Sequence, residues 1–250
     1  MKKITLLFVL VIVLVFHGVS QDKKINVLVF SKTAAFRHNS ISSGLKMMSD
    51  LAQERNWILT ATESADLFTP SFLKNFDVAV FLNTTGDVLN DQQQKAFENF
   101  MNSGKGFVGI HAASDCEYEW PFYGKLVGAY FRTHPNGQVG KVILENTNHA
   151  GMAPFKGMDN FQIAGEWYSF KENPRAKVHV LARLDENSLD ENAQKNGDWK
   201  MGDHPVIWYQ ELGNIRSFYT VFGHHPEEFQ NPKVKEHIGC AVDWAARKNQ

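Results

Sequence analysis

This chain has little cysteine, no run of basic residues, no internal repeat and one long apolar run. Two cysteines in 250 residues, Cys116 and Cys240, cannot make a disulfide-dense scaffold. A single bridge between them stays open in an oxidising compartment; two separate thiols is the plainer reading. The 26 basic and 27 acidic residues nearly cancel, to a net charge of −1. Without clustered Lys and Arg to neutralise phosphates, nucleic acid is excluded as a partner. The absence of a Gly-rich phosphate loop or dinucleotide fingerprint argues against a bound nucleotide. No linker or low-complexity tract interrupts the chain, which favours one domain.

The one long apolar run lies at the start. Lys2 and Lys3 precede residues 4–16, which are apolar apart from Thr5, and Gly18-Val19-Ser20 supplies small residues. This is the pattern of an export signal at 1–20, cleaved before Gln21. The run of 13 residues is shorter than the roughly 20 that a spanning helix needs. An uncleaved anchor is the alternative. The expected product is a periplasmic or secreted domain of residues 21–250 with no stable membrane insertion. Removing Lys2 and Lys3 from 26 basic residues leaves 24 against 27 acidic ones, a net of −3.

Short apolar, β-branched runs predict buried strands at 25–30, 57–62, 77–82 and 106–110. Between them, Ser40 is placed to cap a helix to residue 55, Thr69-Pro70 to start a short one, and Asn90 to cap another to residue 103. Strands alternating with helices predict a doubly wound, mostly parallel sheet with helices on both faces. The later part reads as strands at 139–144, 161–164, 178–184, 206–210 and 216–222, with Gly213-Asn214 as a hairpin turn. Asn231-Pro232 starts a last helix to about residue 247. The fold class is therefore α/β with extra mixed strands in the C-terminal half.

Open parallel sheets bind ligands beyond the carboxyl ends of their strands. Three such ends are polar here: residues 31–38, 83–87 and 111–115. Each alone could be a solvated turn; three at one edge suggest a cleft. Gly109-Ile110-His111-Ala112-Ala113 has the small flanks of a nucleophile elbow, but with His at its centre instead of Ser or Cys. An imidazole there can serve as acid, base or metal ligand, or merely bond neighbouring loops.

Six short motifs in order carry a family resemblance. They are Phe36-Arg37-His38-Asn39-Ser40-Ile41, the stretch 109–115, Phe131-Arg132-Thr133-His134-Pro135, Glu166-Trp167-Tyr168-Ser169-Phe170, His204-Pro205-Val206-Ile207-Trp208, and Phe218-Tyr219-Thr220 through Gly223-His224. The chain resembles the ThuA-like family, named for trehalose utilisation, from about residue 24 to 247. The resemblance implies a class I glutamine amidotransferase-like (flavodoxin-like) fold. It also implies that His111 stands where true amidotransferases carry cysteine. Cys116, five residues on, cannot take that place, which argues against thiolate amidotransfer.

The resemblance further implies disaccharide or keto-sugar catabolism, by an isomerase, lyase or hydrolase. His111, Glu166 and His204 are the expected catalytic groups for histidine/glutamate acid–base chemistry. Arg37, His38, Thr85, Asp115, His134, Tyr168, Trp208 and His224 are the expected substrate contacts. Each has a blander reading. Arg37 and His38 could be helix-entry contacts, Asp115 a helix cap, and Tyr168 and Trp208 core aromatics. His134 and His204 precede proline, which restricts their backbone to extended conformations. No cofactor is expected; the alternative is a divalent metal on His111, His134, His204, His224 and Glu166, making a metal-dependent hydrolase. A non-catalytic carbohydrate-binding protein is the other alternative. A small-molecule sugar is the expected partner, and a homo-oligomer is left open.

Overall fold

The structure, a computed structural model, describes residues 24–247. The export signal at 1–20 and its cleavage before Gln21 lie outside the described residues. The strands are β1 (Asn26–Phe30), β2 (Ile58–Thr62), β3 (Val78–Leu82), β4 (Gly106–Ile110), β5 (Phe131–Thr133), β6 (Gln138–Leu144), β7 (Asn160–Gly165), β8 (Ser169–Phe170), β9 (His179–Asp185), β10 (Pro205–Leu212) and β11 (Ile215–Thr220). The helices are α1 (Ile41–Arg55), α2 (Pro70–Leu73), α3 (Asp91–Asn102), α4 (Pro121–Val127), α5 (Glu191–Lys195), α6 (Pro226–Gln230) and α7 (Pro232–Ala245).

Nine strands form one sheet in the order β2-β1-β3-β4-β11-β10-β9-β6-β7. The first five of that order are parallel, and the remaining neighbours are antiparallel. The parallel part has the doubly wound flavodoxin-like order, with its reversal beside β1. Helices α1, α6 and α7 pack as one group, α2 and α3 as another. The central strands are apolar because both their faces are covered. Every residue of β3 is fully buried, and Phe81 meets Phe97 at 5.2 Å and Phe107 at 5.4 Å between ring centroids.

The expected strands are all present within a few residues. Asn90 makes a full capping box with Gln93 at the start of α3, and the Asn231 side chain accepts from Lys233 and Val234 at the start of α7. The Gly213-Asn214 hairpin joins β10 to β11, with Gly213 at a φ of 61°. Three features depart from expectation, and the cysteines follow the plainer reading. Ser40 precedes α1, but its hydroxyl donates to the Gly223 carbonyl at 2.7 Å instead of capping the helix. Asp115 caps nothing: α4 begins at Pro121, and the Asp115 carboxylate accepts the Tyr118 hydroxyl at 2.6 Å. The small β5–β8 sheet and helices α4, α5 and α6 carry too few residues for a periodic signal. Cys116 and Cys240 are separate thiols.

Candidate metal centre

The carboxyl edge of β4 turns sharply at His111, whose φ of 49° is in the left-handed region. Small neighbours make the turn. A Cβ on Gly109 would sit 3.2–3.3 Å from Phe107, Ala113 and Tyr219, and Ala112 and Ala113 are fully buried. The Tyr219 hydroxyl donates to the His111 carbonyl at 2.8 Å and fixes the bend from β11. The His111 ring is fully buried, with Nδ1 2.8 Å from the Val221 carbonyl. A carbonyl only accepts, so Nδ1 carries the proton and Nε2 presents a lone pair. The Tyr168 ring lies over this imidazole at 4.2 Å.

Three other loops bring partners to that lone pair. His38 enters from the loop after β1, with its ring 4.9 Å from His111 and 5.2 Å from His224. Thr85 steadies that loop, its hydroxyl donating to the Phe36 carbonyl at 2.8 Å. His224 follows β11 and Gly223, whose φ is 130°. Glu166 closes the run after β7, 7% exposed. Its Oε2 lies 3.4 Å from His111 Nε2 and 3.0 Å from His224 Nδ1, and its Oε1 lies 3.1 Å from His134 Nδ1. Ligand atoms of His38, His111, Glu166 and His224 all fall within 4.8 Å of one another.

These short distances are not ordinary hydrogen bonds. Among the described residues, His38 Nδ1, His111 Nε2 and His224 Nδ1 are buried without a hydrogen-bond partner. The atoms approach Glu166 without the alignment a bond requires. Burial, reinforced by the neighbouring imidazoles, holds His38 down to about 3. Burial likewise lowers His111, against the raising influence of Glu166. Burial pushes Glu166 up, but the close approach of His111 and His224 outweighs it and holds the carboxyl well below the usual carboxylate range. The result is a carboxylate beside buried ring nitrogens that no hydrogen bond within the protein satisfies. Such an arrangement is unfavourable unless a positive charge sits among the lone pairs. Imidazole and carboxylate are the ligand types of zinc and related divalent ions.

The expected site residues divide. His111, Glu166, His224, His134 and Tyr168 come together, and His38, expected as a substrate contact, joins the candidate ligand group. His204 is not among them. It is fully buried, with Nδ1 2.9 Å from Glu186 and Nε2 2.9 Å from the Tyr168 carbonyl, so both nitrogens are already engaged. Arg37 turns outward into a two-pronged pair with Glu63 at 2.7 and 3.1 Å. Trp208 lies in the core, 1% exposed, stacked on Tyr219 at 4.2 Å and donating to the Val127 carbonyl. Asp115 lies near Lys171, Glu166 and His134, its carboxyl raised by burial.

Two supporting residues were not among the expected site residues, although Asn83 lies in the polar 83–87 edge. Asn83, at a φ of 50° after β3, donates from Nδ2 to the Gly223 carbonyl at 3.0 Å and to Ser40 at 2.9 Å. Glu228 is buried and accepts from the Gly223 amide at 3.2 Å and the His225 amide at 2.8 Å. The three-residue spacing from His225 to Glu228 is the capping-box signal that could have found it.

Comparison with known proteins agrees with this architecture. A family model described as ThuA, trehalose utilisation, matches residues 26–245. Among curated proteins none matches. A ThuA-like protein from Bacteroides uniformis is similar in structure, with a TM-score of 0.73 at 24% identity over 90% of this chain and 93% of its own. A second, from Parabacteroides merdae, also gives 0.73, at 15% identity over 91% and 92%. The glutaminase domain of Trypanosoma brucei CTPS, solved with bound acivicin, gives 0.52 at 9% identity over 91% and 96%. At such identities these likenesses speak to the fold, which is that of glutamine amidotransferase-like proteins.

Proposed function

This chain belongs to the ThuA family, described by trehalose utilisation, and from that premise we propose that it acts in carbohydrate catabolism on a sugar derivative, at a divalent-metal centre formed by His38, His111, Glu166 and His224. The observation that carries the metal is that ligand atoms of three histidines and one carboxylate lie within 4.8 Å of one another, with His111 Nε2 and His224 Nδ1 buried beside Glu166 and unpartnered. When bound, a divalent ion supplies a Lewis acid for a sugar carbonyl or hydroxyl and a water of lowered pKa.

The chain's own residues then have distinct tasks. Val221 fixes the His111 tautomer through Nδ1, which points Nε2 into the centre. Tyr168 covers the His111 ring and excludes water from that side. His134 stands outside the four ligands, its side chain 36% exposed. Its Nδ1 is 2.9 Å from the Pro135 carbonyl and 3.1 Å from Glu166. With the proton on that nitrogen, Nε2 is left to take one from substrate or water and return it. On a keto sugar this is removal of the C–H proton next to the carbonyl, followed by isomerisation or elimination. His204 contributes by holding the Tyr168 backbone, and export to the periplasm or beyond remains part of the proposal.

Metal analysis of untagged protein tests the reading. We expect about one zinc or similar ion per chain, lost in His111→Asn, and turnover of an oxidised disaccharide that disappears with it. Asparagine tolerates the left-handed backbone, so the variant keeps its fold. A ligand loss costs more than the 10–100-fold in affinity typical of a supporting residue. Metal-free protein that turns over the same sugars at full rate would leave only the His/Glu acid–base chemistry.

A further inference from the structure

His204 is fully buried immediately before β10, and its backbone carbonyl accepts the Leu184 amide of β9 at 2.8 Å. Its ring lies between two acceptors. Nδ1 is 2.9 Å from Glu186 Oε1, and Nε2 is 2.9 Å from the Tyr168 carbonyl oxygen. A carbonyl only accepts, so Nε2 carries a proton. Glu186 Oε1 also accepts the amides of Met201 at 2.6 Å and Gly202 at 3.0 Å. Burial pushes that carboxyl up, but His204 and the two amides outweigh it and hold it below its ordinary value. The proton between Nδ1 and Oε1 therefore sits on the ring. With both nitrogens donating, His204 is an imidazolium buried against one carboxylate. The neighbouring carboxylates Asp185 and Asp203 are engaged elsewhere, with Lys141 and Arg175.

What this cation holds lies at the candidate centre. The Tyr168 ring is 4.2 Å from the His111 ring and stacks on His134 at 5.7 Å, and Glu166 is two residues earlier. The loop before His204 meets the same segment again, where the Phe170 amide donates to Met201 Sδ at 3.4 Å. We propose that Glu186 and His204 are positioning residues: Glu186 keeps both protons on His204, and the imidazolium clamps the Tyr168 carbonyl, which holds the Tyr168 ring on His111 and His134 and keeps Glu166 among the ligand atoms. A neutral histidine has one N–H and would leave either the Tyr168 carbonyl or Glu186 facing a lone pair. A charged donor also makes the stronger bond. The effect on activity rests on the proposed metal centre; the clamp itself does not.

Nitrogen NMR of the full chain, labelled in its histidine rings, tests the proposal at neutral pH. In the parent, one histidine should show the protonated signature on both ring nitrogens, and His204→Gln should remove that signal. In Glu186→Gln the same ring should fall to the one-proton signature. Metal should then bind about tenfold more weakly, the scale of one lost charge-assisted bond, and kcat on the oxidised disaccharide should fall with it. Glu186→Asp, which keeps the charge on a shorter arm, should recover the second proton and part of the metal affinity. Loss of packing alone would lower Tm without changing the charge of the ring. A one-proton His204 in the parent overturns the proposal. So does a Glu186→Gln protein whose ring has lost its second proton while metal affinity and kcat stay at parental values. Should Glu186→Gln not fold, His204→Gln, with one donor group left, carries the same comparison. If metal analysis finds no ion, the Glu166 and Tyr168 amide resonances report the clamp. Shifted in Glu186→Gln, they leave the clamp standing while the metal centre falls; unshifted, they overturn the clamp as well.

Discussion

At the scale of single residues, the centre depends on groups that never touch substrate. Glu228 is the clearest case. Its two oxygens accept the amides on either side of His224, so it sets where that ring sits. Burial pushes its carboxyl up to about 7, against the pull of those amides. In Glu228→Gln only one of the two terminal atoms can accept. One buried amide is left unpaired, at a cost of about 1–3 kcal/mol. We expect a lowered Tm and a reduced kcat, with the metal held more weakly because His224 has lost its support. Glu228→Asp, which keeps two acceptors on a shorter arm, should recover part of the kcat. A variant as active and as metal-tight as the parent would show that the loop holds itself. The same logic explains why the proposed ligand set was only partly legible in the sequence. His111 announced itself through the small residues around it. His38 did not, because nothing local distinguishes a ligand from a helix-entry histidine. His204 misled, because its proline neighbour restricts its backbone but says nothing about where the ring points.

At the scale of elements, strand identity was written locally and strand adjacency was not. The apolar runs of β1, β3 and β4 declare buried strands because both faces are covered. That β11 returns to lie parallel against β4, with Tyr219 opposite Gly109, is a long-range fact that no window of sequence contains. Gly106 marks another such contact. A Cβ there would lie 2.4 Å from the Ala245 carbonyl oxygen of α7. Backbone cannot yield as a flexible side chain does, so Gly106→Ala should force α7 off the sheet. We expect a destabilisation at or above the usual 1–3 kcal/mol of overpacking, read as a shift in the urea midpoint. Gly157→Ala serves as the control: a Cβ there meets nothing within 4 Å, so only its left-handed backbone contributes. Comparable midpoints for the two variants would rule out the close approach as the cause. Helix α4 and the β5–β8 pair escaped the sequence because stretches of two to seven residues do not display a period. Their placement depends on contacts such as the Tyr123 hydroxyl to the Ala113 carbonyl at 2.7 Å.

At the scale of the whole molecule, buried neutral imidazoles set an acid limit. His237 is fully buried between the Gly151 carbonyl at 2.7 Å and the Thr220 hydroxyl at 3.2 Å. Burial lowers it from 6.5 to about 4. Burial, aided by Arg216, lowers His149 over the same range. The unfolded chain therefore binds more protons than the folded one between those values. Stability is complete above about pH 6.5 and is lost as pH falls toward 4. Urea midpoints measured from pH 7.5 to 4 should decline through that window, and His237→Gln should flatten the decline. A midpoint constant across the window would show that these rings ionise without unfolding. The same assembly has a temporal consequence. His38 lies near one end of the described chain and His224 near the other, and Glu166 and the covering Tyr168 come between them. A ribosome that has released only the first two-thirds of the protein has exposed His38, His111 and Glu166 but not His224, so the proposed ligand set is still one short. If the proposed centre holds an ion, the complete ligand set exists only once the loop that follows β11 has been made.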